Sequence, residues 1–545
     1  MDSSESFAAG LSAAVPLSHP VSHSFSNHKT SPKTVALFFV LLAVGLLYTI
    51  LSLAVDVTSA GNVSTEWVTY FLLGVALLIA LGFEFVNGFH DTANAVATVI
   101  YTHSLPPNFA VMWSGFFNFL GVLLSSGTVA FGIISLLPVE LILQVGTGSG
   151  FAMVFALLIA AILWNIGTWW LGLPASSSHT MIGSILGVGI ANALMRGRDG
   201  TSGVDWGQAT KVGYSLLLSP LVGFVCAALL LLAMRAFIRN QKLYDAPKGT
   251  TPPPWWIRGL LILTCTGVSF AHGSNDGQKG MGLIMLILVG TVPIAYALNR
   301  AMPADHVTQF VAVAKVTQQS LENYTNKVTL PLPRARDTLV TYIRTKENTP
   351  SVIPALTTLV GSIGERVSDS GSLAKVSADN VTNVRNDMYL SAEAIRFISK
   401  NPPYHLDMET TANLTAFKKQ IDDATKFIPI WVKVAVAIAL GLGTMVGWKR
   451  IVVTVGEKIG KTHLTYAQGA SAELVAMLTI GAADIYGLPV STTHVLSSGV
   501  AGTMAANRSG LQMSTLRNLL MAWVLTLPAA ILLSGSLYWL FSHLF

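Results

Sequence analysis

The chain has 545 residues, of which 52% are hydrophobic and 11% are charged, with a formal net charge of +6. A soluble domain usually carries about 25% charged residues, so this composition excludes an ordinary soluble protein and indicates a polytopic membrane protein. Because no basic patch with interleaved aromatic residues is present, we expect no nucleic-acid partner. Cys226 and Cys265 both lie in apolar segments, so no disulfide framework is expected.

Hydropathy divides the chain into a polar tail, about eleven candidate membrane spans and one long polar stretch between spans. The predicted order is a disordered tail at 1–34, an extra transmembrane helix at 35–55, a first repeat at 67–239, a cytoplasmic linker at 240–256, the start of a second repeat at 257–299, an extracytoplasmic helical insertion at 300–427, and the rest of the second repeat at 428–545.

Two sequence blocks each occur twice, in the same order, inside apolar segments. Phe-Val-Asn-Gly-Phe-His-Asp at 85–91 is echoed by Phe-Ala-His-Gly-Ser-Asn-Asp at 270–276. Gly-Leu-Pro-Ala-Ser-Ser-Ser-His at 172–179 is echoed by Gly-Leu-Pro-Val-Ser-Thr-Thr-His at 487–494. We call these the acid blocks and the hydroxyl blocks. Duplicated polar segments that break membrane helices are typical of secondary transporters built from two repeats.

Five spans in each repeat is an odd number, so the second repeat is predicted to have inverted topology. The basic segment around 240–256 indicates the cytoplasmic side, which places the N-terminus in the cytoplasm and the insertion outside. Arg196, Arg198 and Lys211 conflict modestly with this orientation, because it places their loop outside. The fold class that we predict is an all-α polytopic membrane protein with two inverted repeats, broken helices and a soluble helical insertion.

We expect all four blocks to break their helices, so that four helix N-termini surround one cavity. Free N–H groups at helix starts, together with hydroxyl and amide side chains, favour an oxyanion. The predicted substrate-binding residues are Asn87, Asn94, Ser176, Ser177, Ser178, Asn275, Ser491, Thr492 and Thr493. Hydroxyls in such runs also bond to their own helix or allow tight packing, which is the alternative interpretation.

Asp91 and Asp276 would repel a bare anion, so they are predicted to couple a cation to its movement. That cation is a proton or a metal; no metal ligand set is assigned. Lys279 either attracts the anion or neutralises Asp276, and the sequence does not decide between these roles. Glu84, Glu473 and Asp484 are alternative candidates for the proton carrier, but we interpret them as satisfied or pore-lining acids. His179 and His494 are interpreted as structural.

The segment at 85–102, which begins with the first acid block and continues Thr-Ala-Asn-Ala-Val-Ala-Thr-Val-Ile-Tyr-Thr, resembles the bacterial branch of the inorganic phosphate transporter (Pit) family. Ala-His-Gly-Ser-Asn-Asp-Gly-Gln-Lys-Gly at 271–280 and the second hydroxyl block resemble its other signatures, and the resemblance covers nearly all of 67–540 except the insertion. It implies low-affinity phosphate uptake with protons across a bacterial inner membrane, often as a neutral metal–phosphate complex. It also implies substrate and ion sites at the Asp and Asn of the first signature and the Ser and Thr of the second.

Two other functions remain open from the sequence alone. A sulfate permease of the same fold would bind a similar tetrahedral oxyanion, and the residues discriminate poorly between the two. An intramembrane metal-dependent enzyme would use His and Asp, but neither HExxH nor GxSxG occurs in the sequence. No cofactor other than the coupling ion is expected. The oligomeric state is undetermined, and a homodimer is one arrangement that the sequence permits.

Overall fold

A computed structural model describes residues 32–61, 67–137, 139–143, 148–247, 249, 251–400 and 404–544. Most of the tail predicted at 1–34 lies outside the described residues. Within them the structure is helical, apart from one isolated bridge between Gly460 and Leu511. This confirms an all-α protein, as the long apolar segments predict.

Twenty α-helices are described. The first ten are α1 (Pro32–Ser59), α2 (Trp67–Tyr101), α3 (Pro107–Leu124), α4 (Thr128–Ile134), α5 (Val139–Leu143), α6 (Gly148–Trp170), α7 (Ser177–Met195), α8 (Trp206–Phe237), α9 (Trp255–Thr291) and α10 (Pro293–Tyr296). The insertion contains α11 (Ala304–Glu322), α12 (Leu332–Thr345), α13 (Val352–Ser370), α14 (Ala378–Lys400) and α15 (Met408–Thr425). The last five are α16 (Ile430–Thr444), α17 (Lys449–Glu457), α18 (Tyr466–Ile485), α19 (Thr492–Ala506) and α20 (Met513–Phe541).

By length and composition, seven described helices are able to cross a membrane, or eight if α15 and α16, which meet at a 69° bend, count as one span. Those that pass include α2, α7, α8 and α20. Helix α19 has 15 residues, which is short for a full crossing. A polytopic membrane protein is therefore supported, whereas the predicted count of eleven spans stays a prediction.

The chain forms two compact units, Met1–Leu41 and Leu42–Phe545. The described part of the first unit is the beginning of α1, where the side chains of Leu37, Phe39 and Val40 are exposed. Exposed apolar side chains along a hydrophobic helix are what contact with lipid requires. All the remaining features belong to the second unit.

Each helix that bears a block packs against a helix from the other predicted repeat. The acid-block helices are α2 and α9; α2 packs along α16, and α9 packs along α3. The hydroxyl-block helices are α7 and α19; α7 packs along α20, and α19 packs along α8. In each case the partner comes from the other half of the sequence, and each contact has a counterpart. Helices α2 and α9 also pack against each other, which brings the two acid blocks together.

The hydroxyl blocks break their helices, as predicted. The chain leaves α6 through Gly172, whose φ of +68° favours glycine, and Gly487 repeats this turn with a φ of +64° after α18. The new helices begin with capped N-termini, because the Ser176 and Ser491 hydroxyls accept hydrogen bonds from backbone N–H groups three residues later. Pro and hydroxyl residues thus start helices inside the apolar region.

The acid blocks do not break their helices, which corrects the prediction for two of the four helix starts. Helices α2 and α9 run without interruption through residues 85–91 and 270–276. A Cβ atom on Gly88 would lie 2.2 Å from the Leu440 carbonyl oxygen, and one on Gly273 would lie 2.1 Å from that of Asn118. These glycines therefore permit close packing of α2 on α16 and of α9 on α3, rather than unusual dihedral angles.

Helices α11–α15 enclose a hydrophobic core of their own, which includes Phe310, Leu339, Ile363 and Phe417. Their apolar residues recur at helical spacing, and the opposite faces carry charges of both signs, as in a water-soluble helical bundle. All five helices lie within the insertion that the sequence places at 300–427. The side of the membrane on which this bundle lies is a prediction from loop charges.

Candidate substrate and cation site

The centre of the candidate site is a pair of buried carboxylates from the two acid-block helices. Asp91 of α2 is 3% exposed and Asp276 of α9 is fully buried. Ser177, at the start of α7, donates a hydrogen bond to Asp91 Oδ2 at 2.7 Å, and its Oγ lies 3.4 Å from Asp276 Oδ2. One hydroxyl of the first hydroxyl block thus lies between the acids of both halves.

Asp91 is held by neutral donors from both halves of the chain. Besides the Ser177 hydroxyl, Thr493 of α19 donates to Asp91 Oδ1 at 2.5 Å. The imidazole Nδ1 of His90 lies 3.0 Å from the same oxygen, and its Nε2 lies 3.2 Å from the Thr168 hydroxyl. The second hydroxyl block therefore reaches the acid of the first half, which confirms that the blocks meet in space.

Asp276 has a different environment, because a cation contacts it directly. Lys279, one turn further along α9, places its Nζ 2.6 Å from Asp276 Oδ2 and donates to the Ser177 hydroxyl at 3.2 Å. His272 lies one turn earlier, with Nε2 3.4 Å from Asp276 Oδ2 and Nδ1 2.9 Å from Asn118 Oδ1. Of the two roles that the sequence allowed for Lys279, neutralisation of Asp276 is the one seen in this structure.

Three polar atoms at this centre are buried without a hydrogen-bond partner among the described residues. They are Asp276 Oδ1, His272 Nε2 and the hydroxyl of Thr492, which is the counterpart of Ser177 in the second hydroxyl block. A buried polar group that lacks a partner costs roughly 1–3 kcal/mol, so such atoms mark positions where a ligand or water completes the structure. Thr492 therefore remains available for a substrate oxygen.

Other predicted substrate residues support the turn before α19 rather than pointing to the acids. Ser178 donates to the Val490 carbonyl at 2.6 Å, and Asn275 donates to the Leu488 carbonyl at 3.1 Å. Ser176 and Ser491 are helix caps. These contacts fix the hydroxyl-bearing helix starts against α9 and against each other.

For the two remaining predicted residues, no contact with the acid pair is described. The Asn87 amide donates to Glu84 Oε2 at 3.4 Å, within its own helix. The side chain of Asn94 lies outside the described residues. Asp484 accepts hydrogen bonds at both oxygens, from Ser274 and Gln278, as expected for a satisfied acid. Glu473 accepts one from Thr264, but Glu473 Oε1 and Glu84 Oε1 are buried without a hydrogen-bond partner among the described residues.

The rings of the two histidines that end the hydroxyl blocks lie in tilted contact with each other. The His179 and His494 centroids are 4.6 Å apart, and His494 stacks on Trp523 of α20 at 4.0 Å. Their packing agrees with the structural role predicted for them. Since they end the two hydroxyl blocks, this contact joins the starts of α7 and α19.

Three buried residues at the acid pair have the chemistry of metal ligands. One ligand atom each from Asp91, His272 and Asp276 lies within 4.8 Å of the others. Carboxylate and imidazole ligands suit divalent cations such as Mn²⁺ and Zn²⁺, so this group is able to contribute to metal binding. The adjacent Lys279 ammonium competes for Asp276, because a cation at that oxygen would have to displace it.

Sequence reasoning did not assign site roles to His272, His90 and Asn118. Alignment of the two acid blocks and the residues just after them would have identified His272. It places His272 opposite Asn87 and Lys279 opposite Asn94, and Asn87 and Asn94 were predicted site residues. Asn118 lies outside the blocks, and only the close approach of α3 to α9 brings it to His272.

Comparison with known proteins identifies the family. Residues 87–534 match the family described as "Phosphate transporter family". The chain is 43% identical over 490 residues to the low-affinity inorganic phosphate transporter PitA of Escherichia coli strain K12, covering 87% of this chain and 97% of that protein. It is 42% identical over 491 residues to PitB of the same strain, again covering 87% and 97%.

A more distant relative is a probable low-affinity inorganic phosphate transporter of Bacillus subtilis strain 168. It is 27% identical over 473 residues, covering 86% of this chain and 97% of that protein. A solved structure described as "The sodium-dependent phosphate transporter" is 20% identical, with a TM-score of 0.47, and covers 87% of this chain and 100% of that chain. The family consists of transporters, so the enzyme alternative is set aside: the chain belongs to the phosphate transporter family.

Proposed function

We propose that the protein carries inorganic phosphate across the cytoplasmic membrane of a bacterium together with protons. The observation that carries this proposal is the convergence of Ser177 and Thr493, from the two hydroxyl blocks, on the carboxylates of Asp91 and Asp276. A site assembled from both halves of the chain is what alternating access to either side of the membrane requires. The names of the relatives at 43% and 42% identity support phosphate as the substrate.

Phosphate is proposed to bind between the starts of α7 and α19. Hydroxyls of Ser177, Thr492 and Thr493 and the backbone N–H groups of the two helix starts would contact its oxygens, because helix N-termini favour anions. The Lys279 ammonium adds one buried positive charge. Since Asp276 already pairs with Lys279, this ammonium does not attract phosphate with its full positive charge. Phosphate can therefore be released as well as bound.

The charges of the site support co-transport of a cation. Asp91, Asp276 and Lys279 together carry one excess negative charge when all three are ionised, and an arriving phosphate adds more. Burying uncompensated charge is costly, so phosphate entry favours a proton on a carboxyl group or a metal ion that travels with the anion. Asp91, His272 and Asp276 would contact such a metal, which then forms part of the cargo as a metal–phosphate complex.

The proposed architecture is a pair of inverted repeats related by a pseudo-two-fold axis in the membrane plane. Its support is the reciprocal packing of α2 with α16 and of α9 with α3, together with the matching α7–α20 and α8–α19 pairs. The basic linker at 240–256 supports a cytoplasmic position for that loop, which places the insertion outside.

Radiolabelled phosphate uptake into proteoliposomes tests the proposed function. Purified protein should accumulate phosphate when the external solution is acidic relative to the lumen, and excess sulfate should compete weakly. Asp91→Asn should lose gradient-driven uptake, whereas Asp422→Asn, which removes an acid of the insertion, should not. Sulfate uptake in place of phosphate would favour the sulfate permease. Uptake that ignores the pH gradient would remove proton coupling.

A further inference from the structure

The insertion is joined at its base to the acid-block helix α9 and to α16. Its entry and exit segments are hydrogen-bonded to each other, since Asn299 N–H donates to the Ala424 carbonyl at 2.8 Å and its amide donates to the Asp423 carbonyl at 3.3 Å. Its position is therefore fixed relative to the ends of α10 and α16.

The C-terminal end of the extra helix α1 contacts the residues on either side of the insertion. Asp56 Oδ2 accepts hydrogen bonds from Tyr296 Oη at 2.8 Å and from Trp431 Nε1 at 2.9 Å. Tyr296 immediately precedes the insertion and Trp431 follows it, and their ring centroids are 6.3 Å apart. One carboxylate thus ties together the two ends of the insertion. Helix α1 therefore contacts the two segments that flank the insertion.

A second attachment joins the far part of the insertion to the first half of the chain. Asp205, immediately before α8, lies 2.7 Å from Arg396 of α14 and 3.1 Å from Lys346, which follows α12. Asp205 also caps α8, because its Oδ1 accepts from the N–H groups of Gly207 and Gln208. Burial alone would raise the pKa of Asp205, but the hydrogen bond and charge of Arg396 and the charge of Lys346 hold it below its usual value.

Helix α8 connects Asp205 to the candidate site, because α8 packs tightly along α19. A Cβ on Gly502 would lie 2.1 Å from the Phe224 carbonyl oxygen, and a Cβ on Gly223 would lie 2.4 Å from that of Val495. Backbones in such close contact leave little room for one helix to shift without the other. Helix α19 begins with Thr492 and Thr493, so Asp205 is connected to the second hydroxyl block through one helix pair.

We propose that the insertion is a strap that holds the α8–α19 pair against α9 and α16, and that the ion pairs of Asp205 with Arg396 and Lys346 open during each transport cycle. The proposal rests on the proposed transport function for its cycle. Exposing the site to alternate sides requires the hydroxyl-bearing and acid-bearing helices to move relative to each other. A strap attached to both groups limits that motion until one attachment opens.

The test compares Asp205→Asn and Arg396→Gln in the full-length protein. Asparagine keeps the side-chain oxygen that caps α8, so Asp205→Asn removes the ion pairs while it preserves the helix start. Asp422→Asn is the matched control, because it breaks pairs with Lys418 and Lys426 that lie within the insertion. The substrate-independent readout is amide hydrogen exchange in α14 and in the first turn of α8. The functional readout is phosphate turnover in proteoliposomes.

Both strap variants should exchange faster in these segments and turn over phosphate about two- to fivefold faster, which corresponds to partly exposed ion pairs. The double variant should resemble the single variants, and added salt should accelerate the wild type more than Asp205→Asn. Exchange or turnover in Asp205→Asn equal to that of Asp422→Asn would overturn the strap. If the wild type does not transport phosphate, the proposed function fails, while the exchange data still decide whether the attachment exists.

Discussion

Asp91 and Asp276 occupy equivalent positions in the two repeats but have unlike surroundings. Asp91 accepts hydrogen bonds from two hydroxyls and faces an imidazole, whereas Asp276 contacts the Lys279 ammonium at 2.6 Å. The difference arises four positions or fewer from each acid, where the second half has His272 and Lys279 and the first half has Asn87 and Asn94. Two matching sequence blocks thus hold an asymmetric set of charges.

This asymmetry suggests a division of labour between the acids. In this structure Asp276 is compensated by a cation on its own helix, so we expect it mainly to position Lys279 and Ser177. Asp91 contacts hydroxyls from both hydroxyl blocks, so a change in its protonation directly alters the contacts between the two halves. We therefore propose that proton coupling depends principally on Asp91 and that Asp276 contributes principally to charge balance.

The largest expected effect is on stability, in Asp276→Asn. Removing this carboxylate leaves the Lys279 ammonium buried without its partner, which should cost roughly 3–5 kcal/mol. Asp91→Asn removes no such partner and should cost less, at roughly 1–3 kcal/mol. Thermal unfolding of the detergent-solubilised variants measures the difference. The rescue variant Asp276→Asn with Lys279→Met should recover much of the loss, and equal stability of the two single variants would refute the division of labour.

The next largest effect is on phosphate affinity, and it distinguishes the hydrogen-bonded hydroxyl of Ser177 from the unpartnered hydroxyl of Thr492. Ser177→Ala and Thr492→Ala should each raise the half-saturating phosphate concentration about tenfold, because each removes a hydrogen bond to a charged ligand. Only Ser177→Ala should also lower the unfolding temperature, since only Ser177 is engaged with the acids and Lys279 without substrate. Uptake kinetics and thermal unfolding on the same preparations test both statements. Unchanged half-saturation in both variants would mean that the hydroxyls are packing residues.

A third prediction concerns His272, which distinguishes the second acid block from the first. His272→Asn gives the second half the residue of its counterpart, Asn87, and removes the only imidazole from the candidate metal group. The affinity for Mn²⁺ or Zn²⁺, measured as the metal concentration that half-maximally stimulates phosphate uptake, should fall roughly tenfold or more. Uptake without added metal should change little. His306→Asn in the insertion is the control. Identical metal dependence in wild type and His272→Asn would exclude the imidazole as a ligand.

The smallest effect is expected at Asp205, an acid with two cationic partners outside the membrane helices. Its folded-state pKa lies below the ordinary Asp value of about 3.9. Its ion pairs therefore stabilise the protein fully above that value, and the contribution disappears as the pH falls through the lower, folded-state pKa. At pH 6 the wild type should unfold at a higher temperature than Asp205→Asn, because its free energy of unfolding is larger by about 1 kcal/mol or less. The unfolding temperatures of the two proteins should converge towards pH 3. A constant difference across this range would exclude the ionised carboxylate as its source.

The sequence predicted the meeting of the blocks and the start of a new helix in each hydroxyl block, because Pro and hydroxyl residues have local preferences that act within one turn. It did not predict that the acid blocks stay helical. Gly88 and Gly273 are equally suited to a break and to a close helix crossing, and only the partner helix decides between them. In the same way, the sequence could not show that Lys279 pairs with Asp276, or that Asp56 reaches Trp431, which is 375 positions away.

The most direct test of coupled transport through this site follows phosphate and protons together. Proteoliposomes that contain a trapped pH-sensitive dye are given external phosphate, and phosphate entry and lumenal acidification are recorded in the same vesicles. We predict that wild-type protein acidifies the lumen in proportion to phosphate entry, and that Asp91→Asn abolishes net uptake with its acidification. Normal acidification and phosphate entry in Asp91→Asn would contradict the account, because the coupling proton would then bypass the carboxylate that joins the two halves.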